Sequence, residues 1–333
     1  MRDYTMNLRL FDMSIEGTMT TGTETLSAEM KIFYDKVLLK NAKPNLVHDQ
    51  FGQKRPIPKN RGKEIEFRRY KSLPKAMKAL TEGVTPNPNK LEVTTITARV
   101  QQYGDWIPLS DVLLMTAIDN NLAEAMALLG DQAGRTSDSV TREEINAGTN
   151  VLFAPKGETV VTTREELDAT ALISPALVMK AVAILKGKNA KPIDGSYVSI
   201  IHPYSAYDMM MNGEWKDWHK YTTSENMYKG EIGKIGNCRF VESTEAKIWA
   251  NAGQGGISVF STLVLGANAY GVTEIEGGGL KHIVKQLGSA GTGDPLDQRA
   301  SAGWKLMKTA KILSNEYMVR IEHASSFATT EAN

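Results

Sequence analysis

The sequence predicts an α+β fold whose long elements reach beyond their own core. Three observations carry this. A stretch over residues 49–102 is broken by prolines and glycines and holds two strand-like runs; a helical apolar repeat follows Pro108; and short β-branched runs alternate with helical segments toward the C-terminus. At 333 residues, the chain can bury one large core or two ordinary ones.

Residues 1–25 are polar, rich in Thr and Met and without a lasting period, so they read as an arm whose partners lie outside its own domain. Leu26, Met30, Phe33, Val37 and Leu38 then recur at helical spacing, and Pro44 closes that segment. The stripe is narrow enough to lie on a neighbouring subunit or on the chain's own core.

Over residues 49–102, Gly52, Pro56, Pro58, Gly62, Pro74, Gly83, Pro86 and Pro88 interrupt regular structure. Glu64-Ile65-Glu66-Phe67-Arg68 and the β-branched run of residues 91–100 pair on paper as a long hairpin. Strands of this kind span roughly 35–50 Å at about 3.3 Å per residue, and the stretch has too few large apolar side chains to cover them. Such an arm needs a neighbour. The same region gathers Lys54, Arg55, Lys59, Arg61, Lys63, Arg68, Arg69, Lys71, Lys75 and Lys78 against Glu64 and Glu66. These form a solvated or subunit-bridging face, or a contact with nucleic acid. Phe67 and Tyr70 are too few for a base-stacking platform, which favours salt-bridged subunit contact through Lys54, Arg55, Arg61, Arg68, Arg69 and Lys71.

After Pro108, Ser110 reads as an N-cap with Asp111 in the first turn, and Leu114, Ile118, Leu122, Ala125, Met126 and Leu129 form an apolar stripe. Gly130 and Gly134 loosen the pattern, which resumes through Val140 and Ile145 to Gly148. The expectation is a spine of about 40 residues, or about 55 Å. Ser174-Pro175 opens a helix over residues 176–188. Strands follow at residues 197–201, 239–241, 261–265 and 281–284, and His202-Pro203 leads into a short helix through Tyr207 and Met211. Residues 316–322 alternate as a strand with one buried face.

Composition narrows the function classes. Lys plus Arg number 39 against 38 Asp plus Glu, without the basic surplus of a dedicated nucleic-acid binder. Cys238 is the single cysteine, so neither an intrachain disulfide nor a thiolate metal cluster can form, and a buried small hydrophobe is its expected role. The N-terminus lacks a secretory apolar core, and no unbroken apolar run approaches the ~20 residues of a membrane span, which predicts a cytosolic site of synthesis.

No nucleophile, base and orienting group share a recognisable setting. His48, His202, His219, His282 and His323 are scattered without metal spacing, and neither the Gly-x-Ser-x-Gly turn nor a phosphate loop occurs. The glycine-rich runs at Gly253, Gly277 and Gly288 read as loops between strands, and Glu242, Glu245, Glu274 and Glu276 as surface carboxylates. Trp215, Trp218 and Trp249 read as core filling or interface anchors. No enzyme activity, cofactor or metal is expected.

Four stretches resemble a known family. They are Leu80-Thr81-Glu82-Gly83-Val84-Thr85-Pro86; Gln102-Tyr103-Gly104 running on to Ser110-Asp111; Gly230-Glu231-Ile232-Gly233-Lys234-Ile235-Gly236 followed by Arg239-Phe240-Val241-Glu242-Ser243; and Asp294-Pro295-Leu296-Asp297-Gln298-Arg299 with Gly303-Trp304-Lys305. In this order they resemble the major capsid (coat) proteins of tailed bacteriophages, within the group typified by a large podovirus coat protein. The resemblance covers nearly the whole chain.

It implies the tailed-phage major capsid protein fold: an N-terminal arm with helix (1–48), an extended hairpin loop (49–104), a peripheral domain with the spine helix (105–174 and 300–333) and an axial domain (175–299). It implies a shell of pentamers and hexamers of this chain around double-stranded DNA, in a virion assembled in the bacterial cytoplasm. A portal, a decoration protein and a separate scaffolding protein are the further partners it suggests; no membrane is involved. Two other readings stay open: a nanocompartment shell of the same fold, and an α/β enzyme using residues 294–305.

Overall fold

The computed structural model describes residues 47–333 other than 72, 78, 81, 84, 86, 117–120, 216–232, 290–293, 328, 329 and 331. The expected arm and helix up to residue 46 lie outside the described residues.

One sheet is organised by β13 (Arg299–Ile312), which buries Ala300, Ala302, Trp304, Leu306, Lys308 and Ala310 at period two. Along one edge it pairs antiparallel with β4 (Gln101–Ser110), from Arg299 opposite Ser110 to Lys308 opposite Gln101. Two strands share its other edge end to end: β12 (Lys281–Lys285) and β11 (Tyr270–Glu274). β1 (Gln53–Lys54) runs parallel to β11, and Ile57 bridges to Ile275. Residues 53–57 are therefore tied to this sheet by backbone pairing.

β4 passes directly into α1 (Asp111–Thr116), where Ser110 Oγ accepts a 3.3 Å hydrogen bond from the Leu113 amide, the expected cap. The spine includes α2 (Asn121–Asn146), 26 residues or about 39 Å; residues 117–120, between α1 and α2, lie outside the described residues, and the expected full length with them. Gly130 and Gly134 do not break it; both are buried inside the continuous helix. Met126, Leu129 and Ala133 pack on Ala302, Trp304 and Leu306 of β13.

The second sheet runs in the order β5 (Val151–Phe153), β14 (Met318–His323), β10 (Val259–Leu265), β6 (Tyr197–Ile201), β8 (Cys238–Glu242) and β7 (Lys234–Ile235), with β9 (Ile248–Trp249) beside β10. On one face lies α3 (Pro175–Gly187), whose Val178, Ala181, Val182 and Leu185 meet Ile201, Phe240, Val264 and Val319. Ser174 Oγ caps this helix by accepting from the Leu177 amide at 3.3 Å. α4 (Pro203–Met211) follows β6 through His202. On the sheet's other face, Ile200, Leu263, Leu265 and Met318 pack with Val47, Ile145, Tyr270 and Val272, which welds the two sheets together.

One expectation needs correction. β14 buries all six residues rather than one face, because it lies between β5 and β10 and its charged side chains point into ion pairs: Arg164 holds Glu322 at 2.7 Å and Arg320 holds it at 2.8 Å. Each sheet draws strands from distant parts of the sequence. β11 and β12 join the sheet that carries the spine, while β14 joins the sheet of β6, β8 and β10.

Candidate assembly surface

The arm's stem is a two-stranded ribbon, β2 (Glu64–Tyr70) against β3 (Val93–Arg99), from Glu64 opposite Arg99 to Tyr70 opposite Val93. Its inner face is fixed to the body. Phe67 is buried against Gly271, where a Cβ atom would come within 2.9 Å of the ring, so a residue without a side chain is what lets the stem seat. Arg69 lies with its guanidinium 5.4 Å from the Tyr317 ring centroid and 3.8 Å from Glu316. Past Tyr70 and Val93 this anchoring ends. The described residues of 71–92 form neither helix nor strand, and Leu73, Met77, Leu80 and Leu91 are 57%, 85%, 77% and 67% exposed. Apolar side chains so bare on an extended segment mark a contact surface.

The arm springs from a buried polar root. His48 Nδ1 lies 2.5 Å from Asp138 Oδ2, and the His48 amide donates to Asp138 Oδ1 at 2.7 Å. Asp49 accepts from Thr141 Oγ1 at 2.5 Å and from Lys308 Nζ, which also donates to the Ser137 carbonyl at 2.8 Å and to Ser137 Oγ at 2.9 Å. The Tyr270 hydroxyl donates to the His48 carbonyl. Burial, and then the Asp49 and Asp138 carboxylates, push that hydroxyl's pKa well above its ordinary value. Removing one partner of such a network leaves a buried charge uncompensated, which is why the chain is held firmly here. Sequence reasoning passed over this root, taking His48 as an ordinary histidine. The signal was present in α2, whose inward stripe turns from Met126, Leu129 and Ala133 to Ser137, Asp138 and Thr141 at unbroken helical spacing.

The structure spreads the predicted contact residues along the arm instead of gathering them. Lys54 and Arg55 are exposed at the root, beside a cavity of about 510 Å³ lined also by Asp49, Gln50 and Glu274. Arg61 is exposed in a turn flanked by Asn60 and Gly62, both at positive φ. Arg68 points outward, 3.3 Å from Glu66. Lys71 lies 2.8 Å from Glu92 across the end of the stem and holds that carboxyl below its usual pKa through the hydrogen bond and its charge. Arg68, Arg69 and Lys71 thus have partners within the chain.

The residues that carried the family resemblance hold turns and strand centres. Glu82 and Gly83 form a turn in the arm, Gly83 at φ 76°; Pro86 and Gly230 lie outside the described residues. Gly233 leads into β7, and Gly236 with Asn237, at φ 54° and 73°, makes the two-residue turn from β7 to β8. Asp294 is buried and accepts from the Arg299 amide at 2.7 Å, closing the turn through Pro295 that starts β13, while the Gln298 carbonyl accepts from the Asp111 amide at 3.0 Å. Trp304 donates to Gln132 Oε1 at 3.0 Å, and Lys305 sits opposite Gly104 in the sheet. These contacts account for residues 294–305 as a turn and a strand centre.

Trp215 packs on Phe240 in the core, Trp249 lies under Arg164 at 3.7 Å, and Trp218 and His219 lie outside the described residues. Cys238 is buried, and burial pushes its thiol up to about 12. Among the described residues, no group of three His, Cys, Asp or Glu side chains could hold a metal ion, and no helix is long and apolar enough to cross a membrane.

Comparison with known proteins gives a consistent result. The sequence profile of the family described as phage capsid protein matches residues 92–245. No curated protein matches the chain in sequence. Among solved structures, the capsid of cyanophage P-SCSP1u superposes with a TM-score of 0.65 at 13% identity, over 84% of this chain and 89% of that one. The capsid of Ralstonia phage GP4 gives 0.63 at 14% identity, over 84% and 88%. A virus-like particle from Pyrococcus furiosus gives 0.51 at 9% identity, over 88% and 99%. The family's profile matches across the middle of the chain, and over most of its length the chain has the fold of the tailed-phage capsid structures.

Proposed function

We propose that this chain is the major capsid protein of a tailed phage, of the podovirus type, assembling through pentamers and hexamers into an icosahedral head around double-stranded DNA. In this reading a separate scaffolding protein guides assembly in the host cytoplasm, and a portal and a decoration protein complete the particle. The arm supports it: a stem anchored at Phe67 and Arg69 carries a segment whose Leu73, Met77, Leu80 and Leu91 stand exposed among the described residues. A closed shell repeats such modest contacts around a network, so each one is weak enough to be corrected during growth.

The stem suggests a clean test. Replacing residues 71–92 by Asn-Gly joins Tyr70 to Val93 through a two-residue hairpin turn and leaves the body intact. The full chain, expressed with its genomic neighbours, should give closed particles by negative-stain electron microscopy. The shortened chain should keep its melting temperature and stay unassembled; closed shells from it would refute the arm's role.

The similarity to the Pyrococcus furiosus particle favours a second reading, a nanocompartment shell. Particles from the native source decide between the two. Nuclease-protected double-stranded DNA supports the phage head, and an enclosed protein without DNA supports the nanocompartment.

A further inference from the structure

We infer that the cleft between the stem and the chain's own body binds a small phosphate-class oxyanion, a property that goes beyond the shell reading and does not depend on it. The cleft, about 290 Å³, is bounded by the stem at residues 67–70 and Ile96, and by the body at Gln53, Arg55, Asn268 and the residues that follow β13. Three arginines line it, Arg55, Arg68 and Arg69, and no Asp or Glu does. Arg68 turns outward to Glu66, which leaves the cleft two guanidinium groups, Arg55 from the body and Arg69 from the stem. Side chains alternate along extended backbone, so Gln53 and Arg55 share one face while Lys54 lies on the other. With its amide oxygen toward Arg55, Gln53 accepts from Nε at 3.2 Å and from Nη2 at 3.1 Å, which fixes the direction of that guanidinium. The ion pairs of the stem run from Arg68 to Glu66, from Arg69 to Glu316 and from Lys71 to Glu92, and none of them takes up Arg55.

A buried hydroxyl points to the same place. Ser314 lines the cleft and is 3% exposed, yet its Oγ has no hydrogen-bond partner among the described residues and does not cap the turn that follows it. Buried polar groups are hydrogen-bonded with few exceptions, because one left without a partner has lost water and gained nothing. An oxyanion lying against Arg55 and Arg69 accepts that hydrogen. Donors then come from three separate segments, Arg55 beside β1, Arg69 on β2 and Ser314 after β13, with the Asn268 amide at the same cleft. Donors around a small volume, two of them cationic, suit the tetrahedral oxygens and double charge of a phosphate better than a planar, singly charged carboxylate. Glu316, 3.8 Å from Arg69, stands beyond hydrogen-bond distance and leaves the donors of that guanidinium available. The anion thereby bridges the stem to the body and adds to the hold that Phe67 provides.

Calorimetric titration of inorganic phosphate into the unassembled full chain, at matched ionic strength in chloride, should show one saturable site per chain with a Kd below about 1 mM, and acetate should show none. Arg55→Gln and Arg69→Gln should each weaken phosphate binding at least tenfold and Ser314→Ala at least threefold, while Lys54→Gln, which lies outside the cleft, leaves it unchanged. Ser314→Ala removes only a hydroxyl without a partner, so its melting temperature in chloride should match that of the wild type and its weaker binding does not come from misfolding. Hydrogen exchange followed by mass spectrometry should show the amides of β2 and β3 slowed at least threefold by saturating phosphate in the wild type and not in Arg55→Gln. Absence of saturable binding, or equal binding by Arg55→Gln and Lys54→Gln, overturns the inference and leaves the shell reading standing. A short DNA duplex that displaces the phosphate, with the same dependence on Arg55, assigns the cleft to a nucleic-acid backbone and overturns a site for the free ion.

Discussion

His323 is fully buried in β14, with Nε2 2.9 Å from Thr262 Oγ1 and Nδ1 2.8 Å from the Ala324 carbonyl. Burial is the main cause that lowers its pKa to about 4, so the folded chain keeps the ring neutral. Unfolded, the ring takes up a proton near pH 6.5, so the unfolded state binds more protons between about pH 6.5 and 4. This contribution to stability is therefore complete above that window and is lost as pH falls through it, by about 2 kcal/mol at pH 5. Urea denaturation of the unassembled subunit at pH 7.5 and 5 should show the loss, and His323→Gln should remove about that much of the difference. An equal acid sensitivity in the variant would rule out His323 as its source. Such a histidine is hard to read from sequence, since nothing near it specifies burial on both faces of its strand. The same holds for Lys308, a charged residue in an otherwise apolar inward series, whose partner Asp49 is remote in sequence.

At the scale of elements, the stem was legible because Val93, Thr94, Thr95, Ile96 and Thr97 are β-branched, and the spine because Ser110 caps a helical stripe. β4 was not: Gln101-Gln102-Tyr103-Gly104-Asp105 has weak strand propensity and Pro108 interrupts it. It is a strand because β13 supplies a partner along its whole length. The inward alternation of β13 was masked by its small residues, Ala300 and Ala302, and by Lys308. The seat of the stem was equally hidden, since Gly271 in the sequence gives no hint that Phe67 will lie on it. A valine at position 271 meets that ring well inside contact distance, so Gly271→Val should push Phe67 off the body at a cost of about 1–3 kcal/mol. Amides of β2 and β3 should then exchange faster while those of β10 and β14 do not change. Faster exchange in all four strands would mean that the stem is part of the core's folding unit.

For the whole molecule, the near balance of 39 basic and 38 acidic residues removes long-range repulsion between copies, so short-range apolar contacts can set the geometry of assembly. If each chain grips one neighbour and is gripped by another, a chain without the tip is more than an inert diluent. It can still be gripped and joins a growing ring, but holds nothing in turn. A ring of several subunits is complete only when every member can grip. Adding about one chain in five with residues 71–92 replaced by Asn-Gly should therefore remove more than half of the closed shells, whereas inert dilution removes about a fifth. Counting closed particles by electron microscopy across such mixtures separates the two. A linear fall in yield with the truncated fraction would show that subunits lacking residues 71–92 are excluded before they join a ring.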